Sequence, residues 1–148
     1  MLKSQFLIGF IFFLFIQYSY GQKKDEAIFF NKKDQITRFH TISDLENLKK
    51  GQLIKLYQDR IKEIVTVLPF LSLTNEPDVR LSDLGIKEDS NHIKSLKKST
   101  EASQEAITAF QTSVEELVPY ADTEKIILTI LYFEDIIKKM RIGVTRSL

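Results

Sequence analysis

His40 and His92 are the only imidazoles in the chain, and cysteine is absent. A thiolate nucleophile, a thiolate metal site and a thioether-linked haem are therefore excluded. Metal centres in helical bundles draw a Glu-x-x-His pair from each of two helices. The nearest approach here is a single Asp89-x-x-His92, which reads as a helix cap or surface pair, and His40 reads as a surface residue too. Ser95 and Lys98 reproduce the Ser-x-x-Lys spacing of penicillin-binding enzymes, but no Ser-Asp-Asn or Lys-Thr-Gly box accompanies them. Gly51, Gly85 and Gly143 are too scattered for a phosphate-cradling loop. Adjacent acids such as Glu115 with Glu116, or Glu134 with Asp135, diverge by about 100° around a helix and do not form acid–base dyads. The residues supply no catalytic set, cofactor signature or metal site, so the expectation is a non-enzymatic protein without cofactors.

One constellation stands apart. Projecting the helical repeat turns Arg60 into the apolar arc formed by Leu53, Leu56, Ile64 and Val67. The same projection turns Glu134 inward beside Ile127, Ile130 and Ile137, with Arg141 on that side. Charges at inward positions require partners. The sequence predicts a buried polar layer in which Arg60 meets Glu134, with Tyr57 and Thr100 as further members.

Three helical segments must position that layer. The first covers 44–71, with Ser43 and Glu46 as a capping box, Gly51 as a weak point and Pro69 as its end. The second covers 89–118. There Ile93, Leu96, Thr100, Ser103, Ile107, Phe110, Val114 and Leu117 alternate steps of three and four, the spacing of a helix-packing seam. The third covers 123–142; its nearly all-round apolar face marks it as the central core helix. Pro119 and Tyr120 leave a tight joint, so the second and third helices are expected to be antiparallel neighbours. The expected fold is all-α, a three-helix up-down-up antiparallel bundle, with a long structured loop at 72–90 between helices one and two. The preceding segment 22–42 is expected to be partly ordered and packed on the bundle, its final residues reading equally as helix or extended chain.

Residues 6–16 form a short apolar run after Lys3, followed by Ser19 and Gly21 at the small-residue positions of a cleavage site. The run is about half of the ~20 residues a spanning helix needs, so 1–21 reads as a secretory signal and Gln22 as the first mature residue. Removing Lys3 leaves 20 Lys plus Arg against 20 Asp plus Glu, a neutral balance that disfavours nucleic acid and anionic membrane. The leading expectation is an exported binding module acting on another envelope or extracellular protein, periplasmic or extracellular, as a monomer or weak dimer. Inhibitor and immunity proteins share this profile, by analogy alone. Its expected recognition loop carries Asp78, Arg80, Asp83 and Leu84. The alternative is a periplasmic carrier of a small hydrophobic ligand, with Phe70, Phe110, Tyr120, Tyr132 and Phe133 lining a cavity; an enzyme of unknown type ranks third.

Overall fold

The computed structural model describes residues 26–142. The predicted leader at 1–21 lies outside the described residues. Four α-helices account for most of the described residues: α1 (Ile42–Glu46), α2 (Lys50–Val67), α3 (Ser90–Leu117) and α4 (Thr123–Ile142). The fold is all-α, and among the described residues no helix is long and apolar enough to cross a membrane.

The predicted first helix is two helices. Its cap is not Ser43 with Glu46 but Thr41 with Asp44: the Thr41 hydroxyl accepts from the Asp44 amide at 3.3 Å, and the Asp44 carboxylate accepts from the Thr41 amide at 2.8 Å. Each satisfies a donor that the first turn leaves open. The break falls at Asn47–Lys49 rather than at Gly51, which sits inside the first turn of α2 with open space around it. Pro69 does end the helix, converting its last turn into the 3-10 segment Leu68–Phe70.

A second correction concerns which helix is central. Both α3 and α4 make their helix contacts chiefly with α2 and few with each other, so the expected neighbours α3 and α4 are joined through it, whereas α4 leaves Leu128 and Tyr132 exposed on its outer face. Apolar residues all round a helix therefore did not make it the core element; α2 has neighbours on more sides. Leu53 packs with Ile126, Ile127 and Ile130, while Arg141 reaches Glu63. Low numbers meet low and high meet high, so α2 and α4 run in the same direction. Lys50 at the start of α2 binds the Pro119 carbonyl beyond the end of α3 at 2.6 Å, so α2 and α3 run oppositely.

Two apolar clusters form the core. One gathers Leu45 of α1 with Leu53, Ile126, Ile127 and Ile130 near the start of α2. The other gathers Val67, Phe70, Leu96 and Met140 with Ala27, Phe29 and Phe30 from the N-terminal arm. The arm pairs with the long loop: Phe29 N–H donates to Val79 O at 3.1 Å, Leu81 N–H to Ala27 O at 3.0 Å, and Asp78 N–H to Phe30 O at 2.9 Å. Loop and arm thus complete the core together, and the loop folds back through buried Leu81 and a 3-10 turn at Ser82–Leu84. Gly85 closes that turn at φ 73°, a left-handed conformation that glycine adopts without penalty.

Candidate functional site

Between the two apolar clusters lies a charged layer. The Arg60 guanidinium donates to Glu134 Oε1 through Nη2 at 2.7 Å and Nε at 3.1 Å. Arg60 is 2% exposed and Glu134 0%. The structure therefore brings together the two residues that the helical projection placed inward. It does not bring Tyr57 and Thr100 to them. Tyr57 stacks edge-on against Phe133 with ring centroids 5.2 Å apart. The Thr100 hydroxyl is turned back onto the Leu96 carbonyl of its own helix at 3.1 Å, an i−4 bond open to any helical threonine.

The layer's third member is His40. Its backbone N–H donates to Glu134 Oε2 at 2.7 Å, and its Nδ1 lies 2.9 Å from Glu134 Oε1 and 3.1 Å from Arg60 Nη2. With a proton, Nδ1 serves the carboxylate; without one, it accepts from the guanidinium. The surface reading of His40 is overturned: the buried carboxylate beside it needs donors, and His40 supplies its backbone N–H and, when Nδ1 carries the proton, a second. His92 does lie at the surface, its Nδ1 3.1 Å from the capping carboxylate of Asp89.

A second pair completes the arrangement. Glu63, 1% exposed, accepts from Arg141 through Nη2 at 2.8 Å and Nε at 3.0 Å. Forked guanidinium–carboxylate contacts of this kind combine charge with fixed geometry. Glu63 was missed although the signal was present: it follows Arg60 by three residues and precedes Val67 by four, which places it on their face.

Together the two pairs clamp residues 36–40 as an extended strap across the seam of α2 and α4. Ile36 donates its N–H to Glu63 Oε2 at 2.6 Å, and Arg141 Nη2 donates to the Ile36 carbonyl at 2.7 Å. Arg60 Nη2 donates to the Arg38 carbonyl at 3.2 Å, and His40 N–H closes on Glu134. Residues 36, 38 and 40 present one edge to the helices, the period-two geometry of a strand. Phe39 lies beneath the cations of Lys138 and Arg141, 5.1 and 5.2 Å from its ring centroid. No buried side-chain nitrogen or oxygen among the described residues lacks a partner, so the layer is fully satisfied.

Burial by itself would raise the Glu134 carboxyl pKa, but the His40 backbone and ring hydrogen bonds and the Arg60 guanidinium outweigh it and hold the group below its ordinary 4.5. This is the signature of a structural anion rather than a proton donor. Among the described residues no group of three or more His, Asp or Glu is placed to hold a metal ion.

The predicted recognition loop is spent on its own structure. Asp78 Oδ1 accepts from the Lys32 amide at 3.0 Å, and Asp83 Oδ2 from the Arg80 amide at 2.8 Å. Arg80 forks onto Glu88 at 2.9 and 3.0 Å. The Arg80 and Ser82 hydrogen bonds pull the Glu88 carboxyl down to about 2. Only Leu84 of the four loop residues offers an exposed apolar side chain.

The open apolar surface lies elsewhere. Tyr57, Ile61 and Ile64 of α2, Phe110 and Val114 of α3, and Phe133 of α4 line a groove of about 450 Å³. The α3 seam loses its cover here, leaving Phe110 47% and Leu117 67% exposed. Of the aromatics expected to line a cavity, Phe110 and Phe133 line this groove. Phe70 is buried in the core, and Tyr120 and Tyr132 point to solvent. No protein-family model, no curated protein and no solved structure matches this chain.

Proposed function

We propose that the mature chain is an exported, non-enzymatic binding protein that holds another envelope or extracellular protein by inserting that partner's apolar side chains into the groove between α2 and α3. On this reading the three long helices form an up-down-up bundle to which α1 and the arm are added. The observation that carries the proposal is the groove itself: a helix-packing seam whose second half faces solvent, with Phe110 and Leu117 at its open side. Contiguous exposed apolar surface of this kind marks sites of association. The openness favours a protein partner over the carrier role, because a small-ligand site encloses most of its ligand.

Photo-crosslinking in envelope extract tests this directly. A photoreactive residue at Leu117 is expected to yield a defined adduct, and one at Thr108 on the exposed outer face of α3 none. Phe110→Ser with Leu117→Ser should weaken capture at least tenfold without changing the helical signal, since the two residues are already 47% and 67% exposed. The same adducts from both positions contradict the proposal, and a small molecule co-purifying with the chain in native mass spectra favours the carrier. Export through a leader ending at Gly21 predicts a secreted form that starts at Gln22. A full-length chain retained in carbonate-washed membranes contradicts that part.

A further inference from the structure

The strap uses only one of its two main-chain edges. Ile36 spends its N–H and C=O, Arg38 its C=O and His40 its N–H on the four charged side chains, whereas the N–H and C=O groups of Thr37 and Phe39 make no hydrogen bond among the described residues. Thr37 and Arg38 are exposed. An unpaired edge on an extended segment is a template for a second extended chain. Here the edge is held rigid by buried ion pairs, so a pairing chain need not order it first.

Beside the strap, between it and α2, opens a cleft of about 350 Å³. Lys33, Arg38, Arg60 and Lys62 line it against only two acids, Asp34 and Asp59. Arg60 is committed to Glu134, and Lys62 lies 3.3 Å from Asp34. Arg38 keeps a side chain 70% exposed, with a long 3.4 Å contact to Asp44, and Lys33 is exposed. The cations left at the mouth of the cleft are Lys33 and Arg38, with the exposed Asp59 of α2 as the one acid not paired to a cation of the lining.

We propose that this edge and cleft form a docking site for an extended, acidic peptide segment of a partner protein. The segment pairs main chain to main chain with Thr37 and Phe39 and places a carboxylate against Lys33 and Arg38. The site lies apart from the apolar groove between α2 and α3 and stands whether or not that groove binds a partner.

The test is a titration of the isotope-labelled mature chain with a capped hexapeptide of alternating Glu and Thr, followed through backbone amide resonances. Saturable shifts are expected at Thr37 and Phe39. Thr37→Pro removes a free donor while breaking no internal hydrogen bond, so the fold should persist and peptide affinity should fall at least tenfold. Arg38→Glu should weaken binding to a similar degree, as should Lys in place of Glu in the peptide. Phe110→Ser should leave peptide binding unchanged, which separates this site from the groove. Absence of saturable shifts at Thr37 and Phe39, undiminished binding by Thr37→Pro, or equal binding of the Lys peptide would overturn the proposal.

Discussion

Arg60→Met is expected to cost the folded chain about 3–5 kcal/mol, because it strands the Glu134 carboxylate in a site with no access to water. Glu134→Leu should cost a comparable amount, leaving the Arg60 guanidinium and the His40 amide without their anion. The double variant should cost less than the two singles together, since no buried charge is left unpaired. It will not be neutral. The Arg38 carbonyl and the His40 N–H both lose their partners, at about 1–3 kcal/mol each where water cannot replace them. Denaturant melts of the three variants give the coupling directly. Single costs under about 1 kcal/mol would mean an exposed pair and would contradict the buried layer. The pH dependence follows with a definite sign. Glu134 is held below 4.5 in the folded chain, so the unfolded chain takes up the proton first as pH falls. Its contribution is present above about 4.5, the ordinary carboxyl value, and is lost on acidification. Glu134→Leu should flatten the acid limb of the stability profile.

The second pair should respond unequally to its two deletions. Arg141→Met leaves Glu63, 1% exposed, with a buried charge and only the Ile36 amide to serve it. It also removes a cation from the Phe39 ring and the donor to the Ile36 carbonyl. A cost of about 3 kcal/mol or more is expected. Glu63→Leu strands a guanidinium whose side chain is 30% exposed and can be hydrated, so its penalty should be clearly smaller, mainly that of the orphaned Ile36 N–H, about 1–3 kcal/mol. Thermal or denaturant unfolding of both variants decides this. Equal costs would mean that burial does not govern the pair.

The asymmetry explains what the sequence could and could not reveal. Arg60 and Glu134 were legible because a charge inside an apolar arc has no cheap resting place, and the 3.6-residue repeat locates it without knowledge of the partner. Thr100 and Tyr57 were wrongly added because the repeat fixes a face but not a height: Thr100 lies on the α3 seam yet satisfies itself within its own helix. His40 was invisible for a different reason. Its role comes from a segment whose pattern fits helix and extended chain alike, held by contacts 94 residues away in the chain. The same holds for the arm, whose Phe29 and Phe30 enter the core by pairing with a loop 50 residues downstream. The α3 repeat runs unbroken in the sequence, but only Leu96, Ser103, Ile107 and Val114 of it are buried. Where Phe110 and Leu117 of that repeat stay open beside α2, it produces the groove.

Backbone amide exchange at four neighbouring residues tests the charged clamp, on which the strap and its free edge depend, most directly. If two crossed Arg–Glu pairs hold one edge of the strap, the amides of Ile36 and His40, bound to Glu63 and Glu134, will exchange slowly. Those of Thr37 and Phe39 will exchange at rates near those of an open chain. In Arg60→Met the protection of His40 should collapse before that of the α2 core. Uniform exchange across all four residues, fast or slow, would contradict the clamp.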